Sequence, residues 1–458
     1  MSDTLIAAAD NAIPLVALTE GELADFLEGA SGFVRGLAEA ESFKAKSGQL
    51  LRVAGADGGS EQVLLGLGSD GKTDGLRAAA AKLPAGDYAL SGADGLDATE
   101  AAIAWGLGGY RFDRYKPSKE SRARLVRPAG ADLALATAVV HACHLARDMV
   151  NTPANDMGPL QIETIARELA EKFGAEIAVV TGEDLHEANY PAVHAVGRAA
   201  APHRAPRMIE MSWGEASAPL VAIVGKGVVF DTGGLDIKPS SGMRLMKKDM
   251  GGAAHALALA WMVMAAKLPV RLVLLVPAVE NAISGDAMRP GDVIASRKGL
   301  SIEIGNTDAE GRLILADALA RAAELEPVLT IDMATLTGAA RVALGPQVIP
   351  FYTPDDDLAA EIAAASLAAA DPLWRMPLWA GYAESVESEI ADLKNDPDAW
   401  AQAGSMTAAL FLQHFAPKSG WAHLDIFAWN PKGRPGWPAG GEAQAVRALF
   451  HLLRTRYP

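Results

Sequence analysis

Cysteine is all but missing from this chain. Cys143 is the single one in 458 residues, which excludes an intrachain disulfide and fits a reducing compartment. Long apolar runs are missing too. The longest uncharged one, "GGAAHALALAWMVMAA" from Gly251 to Ala266, contains His255 and runs into Lys267 and Pro269, so it reads as a buried helix and no membrane partner is expected. Basic charge is in deficit. A net charge of −15 lacks the basic face of a general nucleic-acid binder. The first residues, "MSDTLIAAADNAIPLVALTEGELADF", carry acids where a secretory signal has a basic n-region, and the expected location is the cytoplasm. No "HExxH" zinc helix occurs, and "GKG" at 225–227 lacks the spacing of a phosphate-binding loop.

What is present is ordinary globular composition, half hydrophobic and 21% charged, at a length that suggests two or three domains. Short apolar runs such as "QLLRVAG" and "EQVLLGLG" alternate with helical ones such as "GLRAAAAKL" and "ATEAAIAWGLGGYRF", as in a small α/β domain. A charged segment, "DRYKPSKESRARLVRPAGAD", leads into a long helix that stops at "NTPANDMGP". The boundary is placed there, giving domains of 1–150 and 151–458. Beyond it helices alternate with strands, and "LVAIV" and "RLVLLV" are apolar on both faces. That pattern belongs to a mixed, largely parallel central sheet flanked by helices.

Ligands bind such sheets beyond the carboxyl ends of the strands. There the sequence places "GKGVVFDTGGLDIKP" with Lys226, Asp231 and Lys238, and "MKKDMGGAAHAL" with Asp249. Further on come "IGNTDAEGRLILADAL" with Asp308, Glu310 and Arg312 on alternate positions, and "ATLTGAA". Each piece has a purely structural explanation. Thr307 with Glu310 three residues later is a capping box, and Asp231 and Asp249 suit a turn and an N-cap. Capping explains neither Lys226 nor Lys238 nor Arg312. Four acids at adjoining turns would repel one another unless cations lie among them, and hard divalent ions with oxygen ligands are the usual solution. The nine histidines offer no competing site on this reading. His141 and His144 read as a helix-surface pair, His255 as packing, and His423 as hydrogen-bonded scaffolding.

At these residues the chain resembles the leucyl aminopeptidase family of two-metal, hexameric cytosolic exopeptidases. "NTDAEGRL" is that family's hallmark, and "VGKGVVFDTGGLDIKP" and "MKKDMGGAA" match its other catalytic stretches in order. "ARDMVNTPAND", "RPGDVIASRKG", "ATLTGA", "ADLKN" and "WAHLDI" extend the likeness over roughly residues 105–430, with the first hundred only loosely similar.

The resemblance implies two divalent ions per subunit, Zn²⁺ or Mn²⁺. Lys226, Asp231, Asp249 and Glu310 would surround the tighter ion, and Asp231, Asp308 and Glu310 the more exchangeable one. It implies a metal-bridging water as nucleophile, with Lys238 polarising the scissile carbonyl and Arg312 holding a bicarbonate that relays the proton. Asp249 would assist the substrate's free α-amine, and Met246, Thr335 and Gly338 would shape a pocket for a leucine-like N-terminal residue. Peptides are the expected partners, with a second copy of the chain in a homohexamer. A two-metal phosphoesterase is the first rival, and it would want more basic groups than these. A fold that has kept its shape and lost its chemistry is the second, and the intact ligand set argues against it.

Overall fold

A computed structural model of the protein describes residues 4–55, 60–92, 95–118, 122–397 and 402–458. The middle of the charged segment, 119–121, lies outside the described residues. The chain divides into two compact units, Met1–His144 with Asn430–Ala439, and Leu145–Trp429 with Gly440–Pro458.

The first unit is built on six strands, β1 (Leu5–Ile6), β2 (Ile13–Thr19), β3 (Leu50–Ala54), β4 (Ser60–Gly68), β5 (Gly86–Gly92) and β6 (Ala123–Val126). They form one sheet in the order β1-β6-β5-β2-β4-β3, parallel except where β3 meets β4. Both faces are covered, and the two-residue period of β4 shows how. Leu65 packs with Leu76 and Trp105 from helices Asp74–Lys82 and Ala98–Gly108, while its neighbour Leu64 packs with Val34 and Ala38 of helix Gly32–Ala40.

The second unit holds β7 (Glu176–Thr181), β8 (Arg207–Trp213), β9 (Leu220–Gly225), β10 (Gly227–Asp231), β11 (Arg271–Asn281), β12 (Val293–Ala295), β13 (Ser301–Glu303), β14 (Leu329–Ala334), β15 (Ile349–Tyr352), β16 (Leu373–Arg375), β17 (Leu393–Lys394) and β18 (Trp421–Asp425). Nine of them make a sheet ordered β16-β15-β18-β14-β9-β11-β8-β7, with β10 also paired to β11. β10, β11, β9, β14 and β18 run parallel, so their carboxyl ends share one edge. Helices Gly251–Ala265 and Gly311–Glu324 are buried over nearly their whole circumference, as layers against such a sheet must be. The expected architecture, a mixed and largely parallel α/β sheet with a smaller N-terminal α/β domain, is the one found.

Two sequence expectations need correction. "GVVFD" is not part of a glycine-rich turn but the strand β10, because every residue but Phe230 is buried against the sheet. The run "LSIEI" ahead of "GNTDAEGRL" reads in the sequence as one more strand of the regular alternation, but it forms β13, which joins β12 and β17 in a separate three-stranded sheet instead of the central one. Among the described residues one helix, Leu133–Asn151, has the length and hydropathy of a membrane span; half of that stretch is buried inside the protein, and it carries Arg147 and Asp148.

Candidate active site

Five parallel strands end together, and the chain chemistry at those ends is polar. β9 delivers Lys226, β10 ends on Asp231, β11 on Asn281, β14 is followed by Thr335, and β18 ends on Asp425. Close approach of the helices depends on glycine here. A Cβ on Gly252 would lie 2.1 Å from the Met333 carbonyl oxygen, and one on Gly311 would lie 2.5 Å from Lys226 Cε. Only hydrogen fits at either point, so both helix starts reach the strand ends.

The structure brings Lys226, Asp231, Lys238, Asp249, Asp308 and Glu310 to one cleft. Lys226 Nζ lies 2.7 Å from Asp249 Oδ2 and 3.1 Å from Glu310 Oε1, and donates to the Thr335 carbonyl at 2.9 Å. Lys238 Nζ lies 2.8 Å from Asp231 Oδ2 and also pairs with Asp308. Ammonium groups thus interleave with carboxylates. Donor oxygens of Asp231, Asp308 and Glu310 all fall within 4.8 Å of one another. Lys226, Asp231, Asp249 and Glu310 are buried, and Asp308 is half-buried.

The electrostatics follow from that packing. Burial disfavours the Lys226 ammonium, but Asp249, Glu310 and Asp231 outweigh it and hold its pKa above the ordinary lysine value. Lys238 is raised in the same way, chiefly by Asp231. Burial opposes the Asp231 carboxylate, which Lys238 and Lys226 nevertheless keep below the usual range. Burial and the charge of Asp231 push Asp308 up to about 7, and Glu310 well above its ordinary value. Burial raises Asp249 too. The sign of these shifts is informative: four carboxylates against two lysines leave a surplus of negative charge that protonation partly relieves. An all-oxygen set with surplus negative charge fits hard divalent cations. A lysine amine joins such a set only after losing its proton.

Arg312 stands behind Glu310 on the first turn of helix Gly311–Glu324. It is buried, with Asp396, Glu310 and Asp425 among its charged neighbours, yet its Nε and Nη1 have no hydrogen-bond partner among the described residues. Met246, Thr335 and Gly338 line the cleft, whose volume is about 360 Å³, together with Lys248, Arg341 and Phe427. Burial pulls Lys248 down to about 8. The Thr335 hydroxyl lies 2.9 Å from Asp249 Oδ1, which ties a pocket residue to the acid cluster.

Several supporting residues were not singled out from the sequence. Asn281 Nδ2 donates to Asp231 Oδ1 at 2.9 Å and to the Thr307 carbonyl at 3.1 Å. Asn395 accepts from the Gly305 and Asn306 amides and donates to the Asn306 carbonyl, clamping the loop that carries Asp308. Asp425 accepts from the amides of Leu336 and Thr337. Asn395 and Asp425 stand in "ADLKN" and "WAHLDI", which gave the only signal.

The capping box is a correction. Glu310 occupies the N-cap position without a side-chain cap, and the Thr307 hydroxyl donates instead to the Gly233 carbonyl at 2.6 Å. The histidines need one as well. His255 is packed in the core and His423 is hydrogen-bonded as expected, but His186 and His194 come together with Glu183 as a second group of metal-type donors.

A carboxylate and lysine cluster at the carboxyl edge of a parallel α/β sheet suits an enzyme that works with divalent cations. Comparison with known proteins narrows the class. The profile of the cytosol aminopeptidase family, catalytic domain, matches residues 144–450, and that of the M17 aminopeptidase N-terminal domain matches 13–128. The probable cytosol aminopeptidase of Agrobacterium fabrum is 39% identical over 493 aligned positions, covering 98% of this chain and 97% of its own length. That of Syntrophotalea carbinolica is 43% identical over 76% of this chain and 73% of its own. Among solved structures, the cytosol aminopeptidase from Coxiella burnetii superposes with a TM-score of 0.93 at 45% identity over the full length of both chains. The bottromycin maturation enzyme BotP, solved in complex with Mn, gives 0.87 at 36% identity over 98% of this chain and all of its own. This chain belongs to the cytosol aminopeptidase family, and it is a peptidase of the metal-dependent aminopeptidase type.

Proposed function

We propose that the chain releases leucine-like N-terminal residues from peptides in the cytoplasm, using two divalent cations per subunit. The observation that carries this reading is the interleaving of Lys226 and Lys238 with Asp231, Asp249, Asp308 and Glu310 at one sheet edge. Asp231, Asp249, Glu310 and a deprotonated Lys226 would hold one ion, and Asp231, Asp308 and Glu310 the other, with Mn²⁺ or Zn²⁺ the fitting metals. Bound there, the pair supplies an acidified water and an anchor for the free α-amine.

The chain's own groups do the rest. Lys238 would turn its ammonium toward the scissile carbonyl, where a well-placed donor contributes roughly 3–4 kcal/mol to the transition state. Asp249 would orient the α-amine, which an internal peptide bond lacks. Arg312 would hold a bicarbonate-sized anion through Nε and Nη1, beside Glu310, as a site for proton transfer. Met246, Thr335 and Gly338 would enclose the N-terminal side chain. Assembly into a homohexamer is part of the proposal, and the exposed Val342, Leu367, Trp374 and Trp379 of the second unit supply apolar surface for it.

Hydrolysis of a leucine anilide before and after complete chelation, with Mn²⁺ or Zn²⁺ added back, tests the reading. Activity should vanish and return. An N-acetylated anilide should resist throughout. Turnover that survives chelation would overturn the metal role.

A further inference from the structure

A separate group of donors lies in the turn that follows β7, within "GEDLHEANYPAVH", residues 182–194. Glu183 and His186 belong to one short turn and His194 to helix Pro191–Gly197. One donor atom from each lies within 4.8 Å of the other two. His194 Nε2 is 3.1 Å from Glu183 Oε1, and the rings of His186 and His194 are 4.0 Å apart between centroids. Bonds of 2.0–2.2 Å to nitrogen and oxygen place neighbouring ligands of a tetrahedral ion about 3.3–3.6 Å apart. The Glu183–His194 separation already falls close to that edge length.

The framework beneath the group is fixed. Leu185, Ala192 and Val193 are fully buried. The Asp317 carboxylate accepts from the Ala192 and Val193 amides at 2.8 and 3.1 Å, which pins the start of the helix carrying His194. Arg297 donates to the carbonyls of Ala188 and Asn189 at 3.0 and 3.3 Å. Asn189, in the left-handed region at φ +60, returns a bond to the Arg297 carbonyl at 3.2 Å. His194 is buried while Glu183 and His186 are exposed, so an ion has an entry path and an open position for water. Asp184 and Glu187 add negative charge to the turn, and Arg198 and Arg297 are positive groups near it.

We propose that Glu183, His186 and His194 form a further cation site of the zinc type, which clasps the 183–187 turn onto helix Pro191–Gly197. Two imidazole nitrogens and one carboxylate oxygen select Zn²⁺ over Mg²⁺ or Ca²⁺. The site lies outside the cleft and does not depend on the aminopeptidase reading.

The test is zinc content after equilibrium dialysis of the full chain against micromolar Zn²⁺, compared among wild type, His186→Ala and Glu183→Gln. Both substitutions fall at exposed positions, and the cleft's own uptake is common to all three proteins. His186→Ala should bind one ion fewer per chain, Glu183→Gln should show reduced occupancy, and both should keep the wild-type aminopeptidase rate. The zinc-dependent rise in melting temperature should shrink in both variants. Equal zinc content in all three proteins would overturn the site, as would binding that needs millimolar zinc.

Discussion

Thr307 and Asp236 are bonded to each other in both directions: the Asp236 amide donates to Thr307 Oγ1 at 2.8 Å, and the Thr307 amide donates to Asp236 Oδ2 at 2.8 Å. This latch joins the segment after β10 to the loop before helix Gly311–Glu324, and so sets Asp231 against Asp308. Thr307 is fully buried. Thr307→Val would leave the Gly233 carbonyl and the Asp236 amide without their partner, at a cost of about 1–3 kcal/mol. Urea unfolding should show that loss, and activity should need more Mn²⁺ to reach half its maximum. Thr307→Ser should behave as wild type. A valine variant with unchanged stability and metal requirement would show that the latch positions nothing.

His255 gives a pH prediction with a definite sign. It is fully buried, its Nδ1–H donates to the Gly251 carbonyl at 2.6 Å, and its Nε2 accepts from the Gln444 amide at 3.0 Å. Protonating Nε2 would set two hydrogens against each other. Burial accordingly lowers its pKa to about 4. A histidine depressed in the folded state contributes stability above its unfolded pKa of about 6.5, and that contribution is lost as pH falls toward about 4. The full span amounts to about 3 kcal/mol. Urea unfolding at pH 7 and pH 4.5 should show His255→Gln losing less stability on acidification than wild type.

Arg312 carries two buried guanidinium donors with no partner among the described residues, and a buried donor left unpaired is costly. An anion held by Nε and Nη1 resolves that cost. Added bicarbonate should therefore stimulate wild-type hydrolysis of leucine anilide, and Arg312→Met should lose the stimulation. If the anion relays a proton, kcat should fall by about 10²–10⁴ with little change in KM. Equal stimulation of both proteins would sever Arg312 from the anion.

Strands such as β9 and β14 were legible in the sequence because burial on both faces makes a continuous apolar run. The acids were legible from the motifs that carry them and not from those runs, since Asp231 ends β10, Asp249 lies in the Met246–Met250 turn, and Asp308 and Glu310 follow β13. β10 was not, since flanking glycines in "GKGVVFDTGG" imitate a turn and its pairing partner β11 lies some fifty residues on. Thr307 misled for a related reason. Its spacing to Glu310 satisfies a local rule, but Gly233 and Asp236 compete for the same hydroxyl. The pairing of His186 with His194 depends on a turn pinned by Arg297 and Asp317, which no local pattern contains.

Gly338 offers a test of the pocket that leaves the acid cluster untouched. It opens helix Gly338–Leu344, and Thr337 caps that helix by accepting from the Ala340 amide at 3.1 Å. A Cβ at position 338 would meet nothing within 4 Å, and the position faces the cleft. Gly338→Leu should therefore fold normally and fill the space proposed for the substrate's N-terminal side chain. One methylene too many in an apolar pocket changes kcat/KM by about 10–200-fold. The ratio of kcat/KM for leucine anilide over alanine anilide should fall by at least about tenfold, with the alanine rate largely kept. An unchanged ratio would place the side-chain pocket elsewhere in the cleft, and a loss of both substrates would put Gly338 against the scissile bond instead.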